Sequence, residues 1–425
     1  MQRGGAHDTF ARMKRIVIVG GGAAGFFAAI TCAEACAASG KSAEVLVLEQ
    51  GSAYLTKVLV SGGGRCNVTH ACEDARELAA HYPRGGRALI GPFQRFGPPE
   101  MVAWLRDRGV ALKTEPDGRM FPVSDSSQTI VDALKRAARE AGVVLRTHCG
   151  VEHAAKRPDG GLDLTLSDGH AMACDRLLLC TGGCRAGGGG AALARALGHT
   201  VEPPVPSLFT FRVETPWLRA LAGVSADPVE VSVPGTKLRE RGPLLATHWG
   251  VSGPAILRLS AWGARLLHEK GYQFPLVVNW LPGSSREALL AELQAWGASH
   301  PAGFVIKTPW PPLPLRLWEA LLGAAGVAPE TRWSGLSNAV LQRLAGQLTH
   351  TEFKVTGRSP NKAEFVTCGG VRLTEVDFKT MQSRIAPGLF FAGELLDIDG
   401  LTGGFNFQAA WTTGWTAGHA LAQSV

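Results

Sequence analysis

The chain has 425 residues, of which 45% are hydrophobic and 19% are charged; this is typical of a globular protein of two or three domains and excludes a disordered chain. A formal charge of +7 would suit nucleic acid or an anionic substrate, but no segment is densely Lys-rich, so a mildly basic surface is the simpler interpretation. No stretch reaches the ~18 apolar residues that a membrane span requires, and we expect no membrane contact.

The first predicted elements form a βαβ unit. Residues 15–19 are a run of β-branched type that is typical of a buried strand, Ala23–Ala38 predicts a helix packed closely on a sheet, and residues 44–49 predict a second strand. Strand, helix and strand at this spacing indicate a parallel sheet.

The next elements alternate between helix and strand as far as about residue 200. Helices are predicted over residues 99–108 and Ser127–Glu140, and strands over residues 143–148, 151–155, 162–166 and 176–179. The pattern changes near Val201, beyond which residues 209–213 and 229–233 alternate in the manner of half-buried antiparallel strands.

A helical stretch follows these strands. Residues 284–296 open with a capping box of Ser284 and Glu287, and residues 315–322 and 337–344 also predict helices. A buried strand is then predicted at 390–392, ahead of the glycine-rich residues 400–404. We therefore interpret the middle of the chain as an insertion, β-rich first and helical second, within an α/β parallel-sheet domain.

The turn after the first strand predicts a nucleotide site. Gly20-Gly21-Gly22-Ala23-Ala24-Gly25 matches G-x-G-x-x-G, in which Gly20 permits the tight turn, Gly22 admits a pyrophosphate and Gly25 allows close helix packing. The amides at the start of the helix, around Ala24, would bind phosphate. Glu49 ends the second strand, where a carboxylate accepts hydrogen bonds from adenosine ribose. The pattern predicts a site for the ADP half of a dinucleotide.

Three later stretches extend this prediction to FAD. The loop Ser61-Gly62-Gly63-Gly64-Arg65-Cys66-Asn67 would let main chain pass beside a flavin ring. Gly393-Glu394 supplies a carboxylate suited to ribityl hydroxyls, and Gly404-Phe405-Asn406 precedes a predicted helix whose first amides would stabilise charge on reduced flavin. No second G-x-G-x-x-G is flanked by strands, so the sequence predicts no separate nicotinamide-binding domain. NAD(P)H or another electron donor would therefore bind only transiently at the flavin.

These motifs together resemble the BaiN-like family of bacterial NAD(P)/FAD-dependent oxidoreductases. The resemblance rests on IVIVGGGAAG at 16–25, SGGGRCNVTH at 61–70, GRMFPVSD at 118–125, THWGVSGPAIL at 247–257, GGV at 369–371 and FAGELLDIDGLTGGFNFQAAWTTG at 391–414. One departure is the loop Cys184–Gly190, which is shorter and richer in glycine than is usual in the family, and its role is therefore left open.

The resemblance implies a glutathione-reductase-type fold. A Rossmann-like FAD-binding domain (12–198 and 361–425) would be interrupted by an antiparallel β-barrel (199–280, with a last strand in 347–360), itself interrupted by a small helical insert (281–346). It also implies FAD contacts at Val151, Thr181 and Gly182, in addition to the glycine loop, Glu49, the 61–67 loop, Glu394 and residues 404–406.

The resemblance further implies an FAD-dependent enzyme that reduces a conjugated or ring C=C bond, in a small molecule or in a uracil base of ribosomal RNA. Two alternatives stay open. One is a flavin-bound redox-responsive or RNA-binding protein without turnover, and the other is an oxygen-using hydroxylase.

Four groups of side chains are catalytic candidates, each with a structural alternative. Cys66 would protonate substrate or act as a redox thiol, or simply pack beside the ring. Arg65 would bind an anionic substrate or balance the charge of reduced flavin, or pair with a loop carbonyl or carboxylate. Asp397 and Asp399 would take part in the chemistry or orient the C-terminal loop, and His248 would face a cleft or serve the fold.

Cysteine usage predicts a reduced, cytoplasmic setting. Nine cysteines, an odd number, are scattered between Cys32 and Cys368, and the polar first 14 residues do not look like a secretory signal. Cys32 with Cys36 and Cys180 with Cys184 have spacings that a metal can use, but no His or Cys accompanies them at zinc-ligand spacing. We expect no metal.

Overall fold

The structure is a computed structural model that describes residues 13–184, 189–359 and 366–425. The chain divides into two compact units: one extends to Pro204 and resumes at Thr367–Val425, and the other is Val205–Val366. The domain limits predicted at 199, 281, 347 and 361 stay predictions. Part of the glycine-rich loop Cys184–Gly190, at 185–188, lies outside the described residues.

The strands are, in chain order, β1 (Lys14–Val19), β2 (Ala43–Leu48), β3 (Thr69–His70), β4 (Leu112–Thr114), β5 (Arg119–Pro122), β6 (Val144–Arg146), β7 (Val151–Lys156), β8 (Leu162–Leu166), β9 (Ala171–Cys174), β10 (Arg176–Leu179), β11 (Val205–Ser207), β12 (Phe211–Val213), β13 (Ser225–Ser232), β14 (Arg239–Thr247), β15 (Gly250–Ser252), β16 (Phe274–Asn279), β17 (Thr351–Arg358), β18 (Val366–Cys368), β19 (Val376–Asp377), β20 (Gln382–Ser383) and β21 (Leu389–Phe391).

The helices are α1 (Ala23–Ala38), α2 (Thr56–Gly64), α3 (Ala75–Ala80), α4 (Gly86–Arg95), α5 (Pro98–Arg106), α6 (Ser127–Glu140), α7 (Gly189–Ala196), α8 (Pro216–Ala220), α9 (Pro254–Trp262), α10 (Ala264–Glu269), α11 (Arg286–Ser299), α12 (Leu315–Ala324), α13 (Asn338–Thr349) and α14 (Phe405–Gln423). Short 3₁₀ turns occur at Val305–Lys307, Trp333–Gly335, Leu373–Glu375 and Gly393–Leu395.

The first unit is built on a sheet of order β19-β20-β21-β10-β1-β2-β6. Strands β21, β10, β1, β2 and β6 are mutually parallel, with Val17 opposite Leu177 and Leu46. The centres of β1 and β10 are fully buried, as their unbroken apolar runs predict for strands covered on both faces. The carboxyl ends of these strands therefore meet at one edge of the sheet, which is where ligands bind in open α/β folds.

Helices α1 and α14 of this unit lie in very close contact. A Cβ added at Gly414 would lie 2.6 Å from the carbonyl oxygen of Ala24, and one added at Gly418 would lie 2.6 Å from that of Ala28. The two glycines, four residues apart, let the backbones approach at a distance that any side chain would prevent. The first helix and the last helix therefore pack with their backbones in direct contact.

The second unit contains a closed antiparallel barrel of order β12-β15-β14-β13-β16-β17. The alternating buried and exposed residues of β17 place Thr351, Phe353 and Val355 in its core. Helices α11, α12 and α13 are inserted between β16 and β17 and share that core. The predicted fold class, a Rossmann-like domain with an inserted antiparallel barrel and a small helical insert, is confirmed.

One detail of the predicted helical insert is wrong. The residue that caps α11 is Ser285 rather than Ser284: the Ser285 hydroxyl accepts a hydrogen bond from Ala288 N at 3.1 Å. Adjacent serines give the same sequence signal, and the backbone of Ser285 (φ −73°, ψ 160°) is the one that precedes the first helical residue.

Within the three described ranges, no helix is long and apolar enough to cross a membrane. In the same ranges, no group of three or more His, Cys, Asp or Glu side chains is placed to hold a metal ion. All nine cysteines are buried.

Candidate functional site

The predicted nucleotide loop follows β1 at the carboxyl edge of the sheet. Gly20 has φ +117° and donates from its amide to Leu48 O at 2.8 Å, and an added Cβ would lie 2.5 Å from Cys180 O. A Cβ at Gly25 would lie 2.0 Å from Gly20 O. Both glycines are therefore required by close packing, as expected for the tight turn and for the helix that packs against it.

Gly22 differs from its neighbours because its side-chain direction is open. Nothing lies within 4 Å of a Cβ added there. Gly22 also caps α1, and the first backbone bond of the helix runs from Phe26 N to Gly22 O at 3.0 Å. The amides of residues 23–25 precede that bond, so the loop combines open space with helix N–H groups, which suits a pyrophosphate.

Glu49 is fixed beside this loop. Its Oε2 accepts from Gly21 N at 2.8 Å, and its Oε1 accepts from Gly51 N at 2.7 Å. Two backbone donors thus orient the carboxylate, and each oxygen keeps a lone pair for a ribose hydroxyl. A cavity of about 550 Å³ lies close by, lined by residues 146–149 and by residues of β8 and β9, and Cys149 N donates to Glu49 O at 2.9 Å.

The glycine loop predicted at 61–67 begins inside α2, whose backbone leaves helical geometry at Ser61 (ψ 152°). Gly62, Gly63 and Gly64 all have positive φ, between 57° and 83°. Added Cβ atoms at Gly63 and Gly64 would meet nothing within 4 Å. A stretch of left-handed backbone with open space above it suits the passage of main chain beside a flat ring.

Cys66 is fully buried at the end of this loop, with φ 58°. Burial raises the pKa of its thiol to about 12, while a hydrogen bond involving Ser61 acts in the opposite direction. The side chain is therefore a neutral thiol and a weak acid near neutral pH, which favours its packing role over that of a reactive thiolate or of an acid matched to neutral pH.

Arg65 is engaged by carboxylates. Its guanidinium lies 2.7 Å from Glu115 Oε1 and 3.5 Å from Asp125 Oδ1, and it stacks 4.1 Å from the centroid of the Phe121 ring. Glu115 is the main cause of the raised pKa of Arg65. Of the two interpretations of Arg65, the geometry favours the structural pairing.

The start of α14 is joined to the 61–67 loop. With its amide assigned from the bonds that it makes, Asn67 accepts from Gly404 N at 3.0 Å and donates to Thr69 O at 3.1 Å. The first helical bond runs from Gln408 N to Gly404 O at 2.9 Å, so the amides of residues 405–407 precede it. A helix N-terminus therefore begins where the sequence predicts one.

At the start of α14, the side chains of two predicted cofactor contacts, Phe405 and Asn406, instead contact other parts of the protein. Asn406 exchanges two hydrogen bonds of 2.9 Å with the backbone of Gly400, so its side chain holds the preceding loop. The Phe405 ring stacks on His81 at 4.3 Å and packs against His70 at 4.6 Å. What these two residues offer a cofactor is their backbone amides.

Glu394 follows β21 and carries a partner that the sequence did not predict. Its Oε1 accepts from Thr367 N at 2.9 Å, and its Oε2 lies 2.9 Å from the ammonium of Lys57. Lys57 also lies 4.0 Å from the position of an added Cβ at Gly182. Predicted contacts after β10 and β21 thus converge on one lysine.

The remaining candidates fall into different settings. Asp399 is fully buried and forms a two-bond ion pair with Arg84, which fits the predicted orienting role; Asp397 is partly buried. His248 is exposed at the tip of the β14–β15 hairpin beside Trp249, whose side chain is 53% exposed. Val151 is buried at the start of β7, and Thr181 is exposed after β10.

The described residues fit FAD. They offer an open glycine at a helix N-terminus, a carboxylate oriented for ribose, a glycine-lined loop and a second helix N-terminus. The placement of each contact stays a prediction. Lys57 and the Arg84–Asp399 pair carry no local sequence signal, because their partners lie more than 300 residues away.

Comparisons with known proteins bear on this site. The HI0933-like protein Rossmann domain family matches residues 14–420. A 3-dehydro-bile acid delta(4,6)-reductase of Clostridium scindens is 32% identical over 97% of this chain and 100% of its own length. A ribosomal RNA dihydrouridine synthase of Escherichia coli K12 is also 32% identical, over 95% of this chain and 97% of its own.

Among solved structures, a 3-ketosteroid-delta4-(5alpha)-dehydrogenase of Rhodococcus jostii RHA1, in complex with 4-androstene-3,17-dione, is similar with a TM-score of 0.51. The alignment covers 97% of this chain and 98% of that chain at 16% identity. At that identity the likeness concerns the fold alone.

Proposed function

The chain belongs to the family of HI0933-like proteins, and from this membership we propose that it reduces a conjugated or ring C=C bond. The family match and the full-length relatives confirm two predictions: that the cofactor is FAD and that the chain is an FAD-dependent oxidoreductase. The BaiN-like resemblance is confirmed as well.

One observation carries the proposal. Two relatives, each 32% identical over at least 95% of this chain, have names that describe saturation of a ring C=C bond, in a bile acid and in a uridine. The two substrates differ but the reduced bond is of the same kind. We therefore propose the reduction of a ring C=C bond for this chain and neither of the two substrates.

The residues of the first unit would divide the work as follows. Gly22 and the first amides of α1 would bind the pyrophosphate, Glu49 would orient the ribose, and Glu394 would take the ribityl hydroxyls. The amides ahead of Gln408 would stabilise negative charge at the flavin end. Bound FAD, once reduced, supplies the hydride for a C=C reduction.

The experiment is anaerobic mixing of the FAD-loaded protein with NADH or NADPH, followed by a candidate acceptor. We expect flavin absorbance to bleach and then to return on addition of a ring enone or of uridine-containing RNA, with a product heavier by two hydrogens. The saturated analogue of each acceptor is the control. A flavin that only oxygen re-oxidises would contradict the proposal and favour a hydroxylase or a protein without turnover.

A second candidate, a nucleobase of RNA as the substrate, is favoured by where the charge lies. Residues 205–366 contain 16 Lys and Arg against 11 Asp and Glu, so +5 of the chain's formal +7 falls in the second unit. An RNA substrate would bind through positively charged side chains, and its affinity would fall steeply with salt. Absence of binding to ribosomal RNA fragments at low salt would exclude it in favour of a small molecule.

A further inference from the structure

Lys57 occupies a central place on the carboxyl edge of the first unit's sheet. It lies near the start of α2, two residues after Leu55, whose amide donates to Gly21 O in the nucleotide loop at 2.8 Å. Its ammonium reaches Glu394 after β21 and approaches Gly182 after β10. The cation thus reaches the loops that follow two adjacent parallel strands, β21 and β10, and the backbone just ahead of it is bonded to the loop that follows a third, β1.

The pairing is asymmetric in exposure. The side chain of Lys57 is 60% exposed, whereas that of Glu394 is 19% exposed. Glu394 is further tied down by Thr367 N, so the carboxylate has a fixed position and the lysine reaches it from the solvent side. Because its ammonium is largely exposed, Lys57 could contact a second anion while it stays next to Glu394.

This arrangement answers an electrostatic difficulty. FAD carries a diphosphate with two negative charges, and the same crevice would present two carboxylates, Glu49 and Glu394, to it. Glu49 is oriented by two backbone donors, while Glu394 has one backbone donor and a full positive charge. A carboxylate without a partner near the diphosphate would repel it.

We propose that Lys57 is a cofactor-positioning residue that neutralises Glu394, so that a carboxylate can serve the ribityl chain next to a diphosphate. The inference depends on FAD as the cofactor and is independent of the substrate. Lys57 acts through Glu394, and the pair behaves as one neutral hydrogen-bonding unit in the site.

The test is a double-mutant cycle on FAD affinity, measured by flavin fluorescence during titration of the apoprotein. Lys57→Met should raise Kd for FAD by about tenfold, on the scale of one lost charge-assisted contact. In a Glu394→Gln background the same change should raise Kd less than about threefold, because no carboxylate is left to neutralise. Lys57→Arg, which keeps the charge, should stay within about threefold of the parent.

A matched control exists at the opposite edge of the sheet. Lys14, 52% exposed, pairs with Asp175, 13% exposed, at 3.1 Å. Lys14→Met should leave Kd for FAD unchanged, and thermal melting of the apoproteins should shift equally little in the two lysine variants. Three results would each overturn the proposal. Lys57→Met could raise Kd for FAD by the same factor in the parent and in the Glu394→Gln background, Lys57→Arg could raise Kd as much as Lys57→Met does, or Lys57→Met could leave Kd unchanged.

Discussion

Replacement of Gly22 by alanine should separate FAD binding from folding. Gly22 has φ −89°, which suits alanine, and nothing lies within 4 Å of the new Cβ. The free energy of unfolding of the apoprotein should therefore change by no more than about 0.5 kcal/mol. With FAD bound, the methyl would crowd the diphosphate, and crowding of one methyl costs about 1–3 kcal/mol, which is roughly a 5- to 150-fold rise in Kd.

Gly25→Ala is the matched comparison, since it adds the same methyl three residues later. Its Cβ would lie 2.0 Å from Gly20 O and 3.0 Å from Cys180 Sγ, so backbone must move. The apoprotein should lose about 1–3 kcal/mol of stability as well as FAD affinity. Urea unfolding of both apoproteins and fluorescence titration with FAD measure the two quantities. An unchanged Kd for Gly22→Ala, or an unchanged stability for Gly25→Ala, would refute the reasoning.

Three further predictions concern other side chains of the first unit. Asp399→Asn should lower the free energy of unfolding by about 3–5 kcal/mol in urea, because it leaves the largely buried Arg84 without its carboxylate; a loss below 1 kcal/mol would contradict this. Burial lowers the pKa of His199 below its ordinary 6.5, so the unfolded chain binds more protons than the folded chain as the pH falls. The melting temperature should therefore fall as pH drops from about 7.5 to 5.5, and it should depend less on pH in His199→Gln. An equal pH dependence of the melting temperature in the two proteins would argue against this. Cys66, with a pKa of about 12 instead of 9, should be alkylated at least about 1000-fold more slowly than in the unfolded chain, and mass-spectrometric mapping that finds it labelled early would disprove its packing role.

The sequence predicts the parts of the site that are local in the chain. The βαβ unit, its glycine turn and Glu49 lie within 36 residues, and their periodicity and spacing have direct physical meanings. The sequence also predicts a helix just after residues 404–406, and the structure begins α14 at Phe405, within that stretch. Lys57 could not be predicted, because within Thr56-Lys57-Val58 it is indistinguishable from any solvent-facing lysine of an amphipathic turn.

Side-chain duties were harder to predict than backbone positions. The sequence predicts Asn406 as a cofactor contact, but its side-chain amide is hydrogen-bonded to the backbone of Gly400. For Arg65 the sequence allows either anion binding or structural pairing, and only the fold reveals that Glu115 and Asp125 lie within reach. The first outcome depends on how the loop of residues 400–404 turns back on the helix, and the second on which distant carboxylates the fold brings to Arg65; neither is encoded in a local motif.

The close contact of α1 with α14 has a consequence for synthesis on the ribosome. The second unit is one continuous stretch of chain, so all strands of its barrel are available once residue 358 has emerged. The first unit must wait longer, because β21 and α14 follow the whole insertion. Until then the apolar face of α1 that Gly414 and Gly418 cover stays uncovered. The nascent chain therefore carries an incomplete nucleotide domain for more than 160 residues of elongation, and FAD can be enclosed only after the last helix arrives.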